Sequence, residues 1–374
     1  PELFTTLIAL FVLKEGSDGF SVGIGTTAGS ALFNGMIIPA ACILSVVGAV
    51  VLGVKVTSVN VSTKVLLRDG LSLILCEFIL IIAINGTTLY WWQGLILMLM
   101  YVAYFLYMIL SMKANPDGGD DKEEEEEEED EDEAKGPIAT IFYWLSLGPV
   151  LDLESHLVKD RHKEQIKSET WNGWPLLMSS TLVIGLACWI LVKACEWLGT
   201  GPADPYMLFG NELSGFNMPT MFVAVIFASM ATSVPDTVIS IRDAKDGDYD
   251  DAVANALGSN IFDICFALGF PLFLFTLING PIEMSVEVAD QSAELRFMLL
   301  VLTIIGFFTY YIGKRGRTEH GVQYVEMKRG KAAILLIIYA FFAAYIVALG
   351  QHAGWAMEIS AAIHDLLKNL PSVT

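Results

Sequence analysis

Apolar residues run along the chain in blocks of about twenty, parted by short polar or charged stretches. A helix of about twenty residues rises about 30 Å, the thickness of bilayer hydrocarbon. The blocks predict a half-span at about 1–13 and whole spans near 21–52, 66–85, 90–112, 174–198, 216–241, 252–279, 296–313 and 332–350. The pattern predicts an all-α polytopic membrane protein, with an amphipathic helix in the tail at 351–374.

Composition agrees. Of 374 residues 54% are hydrophobic and 17% charged, and the mean hydropathy is +0.55. Soluble domains carry about a quarter charged residues, so a soluble enzyme, a disulfide scaffold and a disordered chain are excluded. The five cysteines all lie inside apolar blocks and imply no disulfide framework.

The net charge of −20 is local. Residues 117–133 hold 14 acids, running from Asp117 to Glu133, against the single base Lys122. Such a run repels itself and does not fold; it excludes nucleic acid as a partner. It sits in a central segment, 113–173, that divides an N-terminal bundle (1–112) from a C-terminal one (174–350). If that segment is cytoplasmic, alternation also places 53–65, 242–251 and 314–331 inside. Those segments and the adjoining Arg68 then carry 18 of the 22 Lys and Arg residues, which is the bias expected of inward loops. Lys14, Lys193, Arg296 and Lys368 fall within or beside outer segments.

The two halves repeat one another. Residues 1–34 read PELFTTLIALFVLKEGSDGFSVGIGTTAGSALFN, and 235–263 read PDTVISIRDAKDGDYDDAVANALGSNIFD. Each is Pro-acid, an apolar or hydroxyl-rich run, a charged loop, then Gly-Ser and a terminal Asn or Asp. The first copy begins in a helix running outward and the second in one running inward, so the copies are inverted. Inverted repeats with helix breakers at matched positions mark secondary transporters, whose substrate sites lie mid-membrane between the repeats.

The repeats carry three intramembrane carboxylates, Glu2, Asp236 and Asp263, and such groups are costly enough to be functional candidates. Thr232, Ser233 and Asp236 share one side of a helix; Ser259 with Asp263, and Ser30 with Asn34, are each i, i+4 pairs. Carboxylate, hydroxyl, amide and carbonyl oxygens suit hard cations. No histidine lies in the repeats, which argues against zinc. No nucleophile–base pair or phosphate loop appears, so neither an enzyme nor a cofactor is expected. Glu77 and Glu196, outside the repeats, read as structural.

The segments ATSVPDT (231–237) and GSNIFD (258–263), with PELFT (1–5) and GSALFN (29–34), resemble the two alpha repeats of the cation/calcium exchanger superfamily. Within it the chain is most similar to the potassium-dependent sodium/calcium exchangers. The resemblance implies two inverted bundles of five helices, and against that layout the first helix and half of the second are missing here. It implies calcium/sodium ligands at Glu2, Asp236, Thr232, Ser233, Ser229, Ser30, Ser259 and Asn34, potassium at Asp263, and calcium, sodium and potassium as transported ions. Ala231 stands where the family pattern has Gly. Glu2, Asp236 and Asp263 together match the charge of one calcium plus one potassium. The implied activity is antiport of calcium, with potassium, against sodium, in the plasma membrane. The alternatives are a potassium-independent sodium/calcium or cation/proton antiporter of the same superfamily, a cation channel, and a calcium-buffering membrane protein. Oligomeric state is not legible.

Overall fold

In a computed structural model the described residues are 1–12, 16–114, 153–159, 162, 165, 172–208, 210–318 and 321–368. The acidic run at 117–133 and the basic residues Arg161 and Lys163 lie outside them. The chain forms two compact units: one of residues 1–105 and 189–374, the other of residues 106–188.

The helices are α1 (Glu2–Val12), α2 (Gly16–Val46), α3 (Thr63–Ala83), α4 (Trp91–Ala114), α5 (Trp174–Gly199), α6 (Thr220–Thr232), α7 (Val234–Asp246), α8 (Tyr249–Asn279), α9 (Val286–Tyr311), α10 (Arg329–Gly350) and α11 (Gly354–Leu367). Among them six are long and apolar enough to cross a membrane, or seven if the α6–α7 pair, bent by 43°, is one span. The eight whole spans and one half-span expected are recovered by adding α3, which carries Arg68, Asp69 and Glu77, and the eleven-residue α1.

Three boundaries differ from the hydropathy reading. α2 ends at Val46, and 50–55 turn back as a small hairpin. The span expected at 216–241 breaks at Ser233, because Pro235 has no N–H to give the carbonyl one turn earlier. The helix expected to begin at 296 begins at Val286, where Ser285 accepts from the Val288 N–H and caps a polar first turn. Arg296 therefore does not flank an outer loop; it lies inside α9, 2% exposed.

Glycines set the packing of the central helices. A Cβ on Gly25 would stand 2.5 Å from the Met221 carbonyl oxygen, and one on Gly29 would stand 2.2 Å from that of Val225. Only hydrogen at these positions lets α2 lie backbone to backbone on α6.

Neighbouring pairs along the helices give their directions. α1 and α2 are antiparallel, Ala9 meeting Gly19 and Thr6 meeting Gly23. α7 and α8 are likewise antiparallel: only Gly247 and Asp248 join them, and beyond that turn Asn255 of α8 donates to the Asp236 carbonyl and to Ser240 of α7. α2 runs parallel to α6–α7, with Gly25 at Met221, Gly29 at Val225 and Cys42 donating to the Ser240 carbonyl. α1 runs parallel to α8: Glu2 and Asp263 both reach Ser30, and further along both helices Phe11 packs edge-on against Phe275 at 5.2 Å. The first helix of each hairpin thus lies beside, and parallel to, the second helix of the other. Two hairpins related in this way are inverted.

Short strands tie the loops. β1 (Val59–Ser62) pairs antiparallel with β5 (Gln323–Met327), which also pairs with β4 (Arg315–Arg317); β2 (Thr88–Leu89) pairs with β3 (Ile282–Glu283). Loops assigned to one side by the positive-charge bias therefore meet one another. Glu326 on β5 sits between Lys314 (3.1 Å) and Lys328 (3.2 Å), whose hydrogen bonds, and to a lesser degree their charges, hold its carboxyl below the ordinary range. At the opposite end α11 is fastened to α9: Glu294 accepts from Tyr345 and from Ser360 (2.6 Å), and His364 Nε2 lies 3.2 Å away.

Candidate functional site

The two hairpins meet at Ser30. Its Oγ stands 2.9 Å from Glu2 Oε1, 3.0 Å from Ser233 Oγ and 3.2 Å from Asp263 Oδ2. One turn on, Asn34 Nδ2 faces Asp236 Oδ2 and Ser259 Oγ, each at 3.2 Å, and Ser30 Oγ at 3.4 Å. Glu2, Ser30, Asn34, Ser233 and Asp263 are buried; Asp236 and Ser259 are half-buried.

Local structure explains how these groups converge. The bend at Ser233 turns its hydroxyl onto Ser30 and starts α7 with Asp236 in the first turn. On α8 a π-helical turn begins at Asp263 and runs to Ala267; a second one, Ala224–Ala228, precedes Ser229 on α6. π turns shift the register of a helix face and gather at functional sites.

The network cannot satisfy itself. Ser30 has one proton and two carboxylates within reach, so one carboxylate oxygen must face a lone pair. Asn34 has two N–H protons for three oxygen acceptors, and its own Oδ1 has no partner. The Glu2 and Asp263 oxygens flanking Ser30 are no more than about 6 Å apart, which at an effective dielectric near 20 is a repulsion of about 3 kcal/mol between two charges. Oxygens outnumber protons, and a donor set of carboxylate, hydroxyl and amide oxygens short of protons has the chemistry that suits a hard cation.

The structure brings together Glu2, Ser30, Asn34, Ser233, Asp236, Ser259 and Asp263. Two expected ligands behave otherwise. The Ser229 hydroxyl donates to the carbonyls of Val225 and Ile226, and that of Thr232 to those of Ala228 and Ser229, as hydroxyls in membrane helices commonly do. The three acids do not form a bare metal set either: no three His, Cys, Asp or Glu side chains among the described residues converge closely enough to hold an ion alone. Ser30 and Asn34 are what join them.

Sequence reasoning passed over Asn260 and Asn255. Asn260 Nδ2 donates to the Ala31 carbonyl (2.8 Å), fastening α8 to α2, and its buried Oδ1 is unpartnered. Asn255 bridges Asp236 to Ser240. The signal for Asn260 was its place inside the Gly-Ser-Asn triplet.

The model of the family "Sodium/calcium exchanger protein" matches residues 1–110 and 172–348. Human sodium/potassium/calcium exchanger 3 is 38% identical over 115 residues, 31% of this chain and 15% of that protein. Human sodium/potassium/calcium exchanger 5 is 24% identical over a stretch covering 83% of this chain and 67% of that protein. A probable sodium/potassium/calcium exchanger of Drosophila melanogaster is 29% identical over 39% of this chain and 20% of its own length. The matches with exchanger 3 and the fly protein thus span a fifth or less of those curated relatives. The crystal structure of an H+/Ca2+ exchanger, CAX, shares the fold with a TM-score of 0.53 at 10% identity, over 99% of this chain and 81% of that one.

Proposed function

Because this chain belongs to the sodium/calcium exchanger protein family, we propose that it is a secondary antiporter exchanging calcium, together with potassium, for sodium at the Ser30-centred cage. The observation that carries this reading is the Ser30 hydroxyl held between Glu2 of one inverted hairpin and Ser233 and Asp263 of the other. The transported ions are its substrates, bound by oxygens of both hairpins.

Calcium takes 6–8 oxygens, and Glu2, Asp236, Ser30, Ser233, Ser259 and the Asn34 amide offer them. Asp263 supplies the third negative charge, which calcium alone does not neutralise and a potassium ion does. Sodium competes for the same oxygens. An empty cage keeps uncompensated buried charge, and several kcal/mol of penalty disfavours switching until cations of one kind fill it. That penalty makes the reaction exchange rather than leak. Alternating exposure follows from sliding of one helix group against the other. The reading carries with it a plasma-membrane location and a cytoplasmic 113–173 segment; the inward bias of Lys and Arg supports the latter.

The test is calcium uptake by the complete protein in sealed vesicles under an imposed sodium gradient, with and without potassium. Uptake that follows the sodium gradient and requires potassium is expected. Uptake indifferent to sodium contradicts the exchanger reading and favours a channel.

A further inference from the structure

Seven buried side-chain atoms among the described residues have no hydrogen-bond partner. Two belong to Asn34 and Asn260 of the cage and its flank. The other five are Glu77 Oε2, Ser292 Oγ, Arg296 Nε and Nη1, and the Tyr310 hydroxyl. Ser292, Arg296, Thr303 and Tyr310 follow one stripe of α9, and Thr303 Oγ1 donates to Glu77 Oε1 of α3 at 2.7 Å. Unmet polar groups therefore collect along a single seam, away from the cage.

Along that seam lies a cavity of about 20 Å³ whose walls are mostly apolar, among them Leu32, Met36, Leu257 and Phe307. Its two polar side chains are Thr303 and Tyr310 of α9, and Gly70 of α3 and Ala31 and Gly35 of α2 also line it. A space of about 10–15 Å³ holds one water. Glu77 itself is not in the lining, but Thr303, which is, donates its hydroxyl to Glu77 Oε1, so that hydroxyl links the carboxyl to the cavity. Glu77 is fully buried, with no Lys, Arg or His at ion-pair distance among the described residues. The titratable groups facing it are thiols, Cys76 on its own helix and Cys265 on α8; Arg296 and Tyr310 share the α9 stripe. A buried carboxylate with no counter-ion is stable only when something positive joins it. In a dry seam with room for one water, that something is a proton.

We propose that Glu77 is a second ion position of this protein, a proton site supplied by water of the α2–α3–α9 seam and separate from the Ser30 cage. On deprotonation the carboxyl O–H of Glu77 breaks and its proton passes, through the Thr303 hydroxyl and the cavity water that relays it, to bulk water as the seam hydrates; reprotonation runs the same relay in reverse. Ala31 and Gly35 line this cavity on the same turns of α2 that present Ser30 and Asn34 to the cage. Charging Glu77 forces the seam to hydrate or part, and α2 is one of its walls.

The inference does not depend on transport, and infrared difference spectroscopy on the complete protein tests it without any flux. The wild type at neutral pH is expected to show a protonated-carboxyl stretch that Glu77→Gln lacks and that shifts in deuterated water within minutes. Thr303→Val, which keeps the acid and removes its donor, is expected to raise the frequency of that band, and it serves equally if the glutamine variant does not fold. Absence of a band assignable to Glu77 overturns the proposal. So does a band that resists deuterium for hours, since it marks a sealed structural acid, and so does one abolished by sodium or potassium at constant pH, since it marks a metal-cation site. In flux measurements Glu77→Gln is expected to flatten the pH dependence of calcium uptake at least threefold over one pH unit; superimposable profiles exclude a functional role.

Discussion

The two hairpins bring unequal chemistry to the same cage. The first supplies one acid, Glu2, and two neutral groups, Ser30 and Asn34, from a long unbroken helix. The second supplies two acids, Asp236 and Asp263, from helices that are bent at Ser233 and locally underwound at Asp263. The neutral side is the linking side: among the described residues Ser30 bonds Glu2 and Asp263, and Asn34 bonds Asp236. The broken side carries the excess charge. An inverted pair of hairpins can thus divide the work, one giving a rigid bridging rod and the other the charge and the bends.

The largest effect is expected where α2 and α6 approach most closely. Gly29→Val places carbon where the Val225 carbonyl stands; overpacking of this kind costs about 1–3 kcal/mol or more, and α2 cannot leave α6 without opening the cage. Little folded protein by size-exclusion chromatography is the expected result. Next in size are Glu2→Gln and Asp236→Asn, one on each hairpin. Each is expected to lower sodium-driven calcium uptake by about 100-fold or more, since a bound divalent ion loses a charge partner inside the membrane.

Asymmetry itself is tested by Asp263→Asn, which makes the second hairpin end as the first does at Asn34. Calcium–sodium exchange is expected to persist while its potassium requirement disappears; an unchanged potassium requirement rejects the role of Asp263. Ser30→Ala removes the shared hydroxyl, and hydrogen bonds to charged groups contribute about 1.5–3 kcal/mol, so calcium affinity is expected to fall by about 10- to 100-fold. The smallest effect belongs to Thr232→Val. Its hydroxyl is occupied by its own helix, and calcium affinity is expected to change by less than about threefold.

The residues of the cage were legible in the sequence because repetition exposes them: Pro-acid and Gly-Ser-x-x-x-[Asn/Asp] recur, and i, i+4 spacing fixes which side chains share a face. Helix spans were legible because bilayer hydrocarbon demands a length. Other features were hidden for physical reasons. Hydropathy ends a span where polarity begins, so the capped polar start of α9 was cut away and Arg296 was placed at a loop. No residue pattern distinguishes a hydroxyl that turns inward at a bend, Ser233, from one a turn earlier that bonds its own backbone, Ser229. Glu77 stands outside the repeats and read as structural, whereas its partner Thr303 lies 226 residues away and only the fold joins them.

On the proposed reading, acids of both hairpins hold one dehydrated cation between them. Calorimetric calcium titration of the purified complete protein, beside Glu2→Gln and Asp236→Asn, tests it most directly. Binding that sodium displaces in the wild type and that vanishes in both single variants is predicted. Undiminished calcium affinity in either variant would contradict a cage shared between the hairpins.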